Sequence, residues 1–210
     1  MGGCEHWVPG LLSDHQIRHL AQDHGMIEPF EPEQVREREM GRDTGGTVYA
    51  KRVISYGTSS YGYDMRAGGT FNIFKATTCE PVDPKRMPDE AFDVVYPGPD
   101  GFILIPPNSF ALSVSVECFN LPRGVLGVVV GKSTYARCGI SVPLTPIEPE
   151  WRGHLTIEIS NTTPLPAKVY AGEGIAQILF FKASASCSTS YDDRGGKYQD
   201  QQERIYLPEA

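Results

Sequence analysis

From Val53 onward, short runs of β-branched and aromatic residues are separated by Gly, Pro, Asn and Asp. The runs "TFNIFKA", "GFILIPPNSFALSVSVECF", "GVLGVVVG", "GISVPLT", "HLTIEIS", "AKVYA" and "GIAQILFFKA" carry the alternating or continuous apolar pattern of strands, bounded by turn residues. Many short strands at close spacing predict a sandwich or barrel with small helical additions. In "GHLTIEISNTT" the alternation is explicit. Leu155, Ile157 and Ile159 take one face, and Thr156, Glu158 and Ser160 the other. Glu158 therefore either decorates a solvent face or is a carboxylate held on a strand to move a proton.

Before Val53 the pattern differs. "LLSDHQIRHLAQDHG" reads as a helix, with Ser13 as N-cap, Gln16 as its capping-box partner, an apolar stripe of Ile17, Leu20 and Ala21, and Gly25 as the stop. Residues 36–52, "REREMGRDTGGTVYAKR", are charged and glycine-rich and predict a mobile loop. "DPKRMPDEAF" can form a helical turn. The end, "SYDDRGGKYQDQQERIYLPEA", loses apolar periodicity. It is either a disordered tail or a polar-aromatic segment that folds over a ligand. The whole chain, 1–210, is expected to form one domain, with residues 1–12 an arm of uncertain order and 190–210 a closing tail.

Composition narrows the functional classes. A net charge of −7 argues against a non-specific nucleic-acid binder, although a few local Lys and Arg can still build a phosphate pocket. No apolar run approaches the roughly 20 residues of a membrane helix. The start, "MGGCEHWVPGLL", has no basic segment leading into an apolar one, so no signal peptide is expected. The cysteines, Cys4, Cys79, Cys118, Cys138 and Cys187, are widely spaced and odd in number, which fits reduced thiols in a cytoplasm. The zinc signature of hydrolytic deaminases, H-x-E followed by P-C-x-x-C, is absent.

Four stretches could carry chemistry. "GKSTYARCG" follows a valine-rich strand and offers Lys132, Ser133, Thr134 and Arg137. It is a phosphate site or an ordinary polar turn, and it lacks the first glycine of a Walker A loop. "PIEPEWRGHLTIE" carries Glu148, Glu150 and Glu158, and a carboxylate on a strand is held more tightly than one on a loop. In "YAGEGIAQILF", Gln177 sits among Ile175, Ile178, Leu179 and Phe180 and must face solvent or bond something specific. In "SSYGYDMR", Asp64 reads as a structural acid tied to Arg66 or to backbone.

In order along the chain, "YGYDMR", "GKSTYAR", "PIEPEWRG", "GEGIAQILF" and "RGGKYQDQ" resemble the five motifs of the dUTPase and dCTP deaminase superfamily, covering about Ser13 to Gln201. "KSTYAR" and the "TIE" that follows "EPEWRG" are similar to the deaminase branch, and the long motifs to its bacterial monofunctional subgroup. That resemblance implies a mainly β, distorted barrel or jelly-roll-like fold with a short N-terminal helix and few small helices. It implies a cytoplasmic homotrimer that converts dCTP to dUTP and ammonia, with Mg²⁺ on the nucleotide, no zinc, and dTTP as a feedback inhibitor. It implies no nucleic-acid or membrane partner.

Carried over by position, the resemblance makes Glu158 the general base, with Ser133 and Arg137 catalytic beside it. Lys132, Ser133, Thr134, Tyr135, Ala136 and Arg137 become the phosphate and water-holding segment. Thr156 and Ile157 meet base or sugar through backbone, and Gln177, Tyr191, Lys197 and Gln201 complete the pocket. The Arg137 charge would lower the pKa of Glu158, while desolvation would raise it. Glu148 stands where dUTPases carry a catalytic carboxylate. A bifunctional deaminase and dUTPase, or a dUTPase releasing diphosphate, is the alternative, with a non-catalytic nucleotide sensor as a further class.

Overall fold

The computed structural model describes residues 8–42, 44–75 and 81–208. Helix α1 (Asp14–His24) forms as its local signals predict. The Ser13 N–H donates to Gln16 Oε1 at 3.0 Å, and Gly25 closes the helix in the left-handed region at φ 64°. Ile17, Leu20 and Ala21 are buried against the sheet.

Among the described residues the strands are, in chain order, β1 (Gly10–Leu11), β2 (Ile27–Glu28), β3 (Val35–Arg42), β4 (Val48–Ser59), β5 (Gly62–Phe74), β6 (Phe92–Val95), β7 (Phe102–Ile105), β8 (Phe110–Asn120), β9 (Val125–Gly131), β10 (Ile140–Ser141), β11 (Arg152–Asn161), β12 (Ala167–Tyr170) and β13 (Gly174–Lys182). The only other helices among the described residues are a short α2 (Ser133–Ala136) and a 3-10 turn, Asp89–Ala91, inside "DPKRMPDEAF". Eleven strands make one curled sheet with the path β1-β13-β5-β8-β11-β10. β4, β6, β9 and β2 branch from it and β3 pairs β4, while β7 and β12 form a separate pair. This is the mainly β, barrel-like fold that the motif order implied.

Long β5 holds the curl together by changing partners. Its first half pairs β13 and β4, and its second half pairs β8 and β6. Tyr63, Met65, Ala67 and Phe71 from this strand are fully buried in the main core with Phe119, Ile157, Ile159, Ile178 and Phe180. Also buried there is a polar knot. Glu117 accepts from Arg66 Nε at 2.7 Å, from the Arg66 N–H at 2.9 Å and from Tyr63 Oη at 3.3 Å.

Two expectations are corrected and a third is refined. Residues 36–42 and 48–52 are not a loop: they build the β3–β4 ribbon, both of whose faces are largely exposed. A ribbon without a buried face has no apolar period to reveal it. The arm is packed at its end, where β1 pairs β13 and Leu12 is buried, while residues 1–7 lie outside the described residues. Asp64 is buried and structural as expected, but its partners are Lys132 and Gln34 rather than Arg66, which pairs with Glu117 and Glu31.

Candidate active site

Strand β11 runs antiparallel to β8 along most of its length and meets β10 only at Ser160 and Asn161. Ile157 and Ile159 are fully buried in the core, so the alternation turns Thr156 and Glu158 to the opposite face. There they line a cavity of about 960 Å³ together with Leu112, Leu126, Ile147, Glu148 and Trp151. A register shift between His154 and Thr156 breaks strict alternation and lets Leu155 line the same cavity.

The electrostatics of Glu158 follow from these walls. Leu112 is its cross-strand neighbour on β8. Burial pushes the Glu158 carboxyl above the usual carboxylate range, opposed only by a hydrogen bond from its own backbone. Arg137 of the same chain is not among the groups that act on this carboxyl. A carboxyl of raised pKa on a cavity wall is suited to take up a proton and return it.

The C-terminal tail supplies the opposite wall. Tyr191, Lys197, Tyr198, Gln201 and Tyr206 all line the cavity. The tail is held by backbone pairing of Gly153 with Gln201, by the His154 N–H donating to Gln201 O at 2.9 Å, and by the Asp200 N–H donating to Arg152 O at 2.8 Å. Gly153 adopts φ 142°, and a Cβ there would stand 2.7 Å from the Gln201 nitrogen, so close approach of the tail requires glycine. Farther on, the Tyr206 N–H donates to Thr156 Oγ1 at 3.3 Å, while Ile205 and Leu207 pack on the small apolar cluster of Ala91, Phe92 and Leu112.

The "GKSTYAR" segment lies elsewhere. Lys132 Nζ is bound to Asp64 Oδ2 at 2.6 Å, with both side chains nearly buried. Tyr135 is buried, and its hydroxyl accepts from the Tyr170 N–H at 3.1 Å; burial pushes its phenol far above the ordinary value. Ser133, Thr134, Ala136 and Arg137 are exposed. Gln177 donates through Nε2 to Ser59 Oγ at 3.0 Å. Among the described residues, neither Gln177 nor any of 132–137 lines the Glu158 cavity. Thus the structure brings Glu158, Thr156, Tyr191, Lys197 and Gln201 together, and it leaves Ser133, Arg137 and their neighbours on an exposed turn of the same chain. Ile157 gives its side chain to the core, leaving only backbone for a ligand.

The dCTP deaminase-like family model matches residues 11–183. The chain belongs to the dCTP deaminase-like family. It is 56% identical over 191 residues to the dCTP deaminase of Ralstonia pickettii (strain 12J), covering 91% of this chain and 95% of that one. It is 54% identical over 200 residues to the dCTP deaminase of Halorhodospira halophila (strain DSM 244 / SL1), covering 95% of this chain and 99% of that one. In fold it is similar to the crystal structure of 2'-deoxycytidine 5'-triphosphate deaminase from Agrobacterium tumefaciens. That match has a TM-score of 0.55 and 17% identity, and covers 84% of this chain and 49% of that one.

Within this family member, sequence reasoning missed the apolar part of the cavity and the reach of Tyr206 to Thr156. Leu112 and Leu126 look like ordinary core positions along their strands, and only the fold turns them toward Glu158. Among the described residues no three His, Cys, Asp or Glu side chains converge in a metal-holding group. Cys118, Cys138 and Cys187 are free thiols, Cys4 and Cys79 lie outside the described residues, and no helix among the described residues is long and apolar enough to cross a membrane.

Proposed function

We propose that this protein hydrolyses dCTP to dUTP and ammonia, with Glu158 as the general base. The observation that carries the reading is a carboxylate of raised pKa on a strand wall of a large cavity, with no cationic partner among the described residues. Glu158 takes a proton from the water that attacks C4 of the cytosine, then delivers protons to N3 and to the departing ammonia. No zinc is needed in this scheme, because the carboxylate itself activates the water. The high identity to curated dCTP deaminases over nearly the whole chain supports the substrate.

Ser133 and Arg137 act in this reading from another copy. They are exposed and do not line the cavity of their own chain, which supports a homotrimer in which each turn completes a neighbour's site. Thr134 and the backbone of Tyr135 and Ala136 would then face the triphosphate. Lys132 orients this turn through Asp64, while Thr156, Lys197, Tyr191 and Gln201 surround the nucleotide. Mg²⁺ would be held by oxygens of the triphosphate, where it offsets phosphate charge. Feedback by dTTP would be competition for the same cavity, and the cytoplasm is the compartment that this substrate and the free thiols favour.

The test is product analysis from dCTP with Mg²⁺, with and without chelator. Stoichiometric ammonia and dUTP are expected. Diphosphate released from dUTP with dCTP left untouched would overturn the proposal. Diphosphate and dUMP formed from dCTP would instead establish the bifunctional alternative.

A further inference from the structure

Four consecutive residues, Glu148–Trp151, each hold a different part of the tail. Glu148 forms an ion pair with Arg194. Pro149 O accepts from the Tyr191 N–H at 3.1 Å. Glu150 O accepts from Gln199 Nε2 at 2.9 Å, and the Glu150 carboxylate is bound by Arg123, which also binds Asp193 at 2.5 Å. Trp151 Nε1 donates to Tyr198 O at 2.9 Å. The segment is therefore a rail along which residues 191–199 lie.

Within that array Glu148 has a special place, because it lines the cavity and its ion-pair partner acts on the tail's aromatic anchor. The Arg194 guanidinium sits 5.3 Å from the centre of the Tyr191 ring. Tyr191 is itself packed against Gly196, where a Cβ would collide with the ring, and its hydroxyl accepts from the Tyr198 N–H at 3.0 Å. Arg194, Tyr191, Gly196 and Tyr198 thus form one folded unit, and Lys197 lies inside it.

We propose that Glu148 is a positioning residue: its pairing with Arg194 docks the tail unit so that Tyr191 and Lys197 face the nucleotide, instead of Glu148 serving as a second base. The inference rests on the deaminase reading above for its substrate but not for its docking geometry.

The experiment combines a mutant cycle with a docking readout. E148Q, R194Q, E148Q/R194Q and the swap E148R/R194E are made in a Trp7→Phe background, which leaves Trp151 as the sole tryptophan. Each single variant is expected to lower kcat/KM for dCTP about 5-fold, the upper range for a half-exposed ion pair, chiefly through KM. The double variant is expected to be no worse than either single one, and the swap to recover most of the loss. Trp151 emission should shift to the red in the singles and return in the swap. Additive losses, unchanged Trp151 emission, or an E148Q variant that docks normally yet loses turnover would each overturn the proposal. Failure of the parent protein to release ammonia would instead count against the deaminase reading, while the emission data would still decide the docking.

Discussion

Glu117 and Glu158 are both drawn out of water, and they are treated in opposite ways. Glu117 is fully buried and surrounded by donors: the Arg66 guanidinium, the Arg66 N–H and the Tyr63 hydroxyl. Glu158 stands on a cavity wall opposite Leu112, and burial raises its pKa with only its own backbone in opposition. Burial also pushes the Glu117 carboxyl up, but there Arg66 opposes it with charge and hydrogen bonds. The first carboxylate is enclosed by fixed donors. The second is left able to change state, which is what proton transfer requires.

The contrast can be broken at either end. Glu117→Gln strands the Arg66 guanidinium in the core and is expected to cost about 3–5 kcal/mol in urea unfolding. A change under ~1 kcal/mol would show that the knot is not a structural ion pair. Glu158→Gln should do the reverse: no loss of stability at neutral pH and wild-type-like dCTP binding, but at least ~10²-fold slower deamination. Near-normal turnover by this variant would remove Glu158 from its role.

Acidity sharpens the same comparison. Because the folded pKa of Glu158 is raised, kcat/KM should fall on the acid side through a value above that of an ordinary glutamate, when the base becomes protonated. Its effect on stability has the opposite sense. A raised carboxyl favours the folded state below its unfolded pKa, and that contribution is lost as pH rises through the folded value. Glu158→Gln should flatten this part of the stability profile, measured by unfolding at a series of pH values. A profile with the wild-type slope would contradict the assignment. The smallest effect is expected far from both carboxylates. Gln16→Ala opens the capping box of α1 and should cost about 1 kcal/mol or less, without changing the acid limb of activity.

What the sequence reveals follows the reach of each interaction. Helix α1 is legible because Ser13, Gln16 and Gly25 act within one short segment. The strands are legible because their turn residues and alternation are local, and the face of Glu158 follows directly from Ile157 and Ile159. Lys132 and Asp64 are sixty-eight positions apart, so no spacing could reveal that the lysine of a phosphate-like motif is tied to a buried acid. The separation of Ser133 and Arg137 from the Glu158 cavity is equally hidden, because motif order carries no information about distance in the folded chain. Glu148, read only as a candidate base, acquires a partner once the tail is folded back.

The β3–β4 ribbon has one further consequence. Among the described residues, strand β3 pairs only β4, so its outer edge is open to solvent. An open edge is a template on which a second chain can add. Along it the charges alternate as Arg36, Glu37, Arg38, Glu39. If two copies met edge to edge across a two-fold axis, residues of equal parity would face each other, and arginine would meet arginine and glutamate would meet glutamate. Parallel pairing in register would set every charge against its own copy. Like charges directly opposite are destabilising, so this alternation disfavours both kinds of self-pairing along that edge.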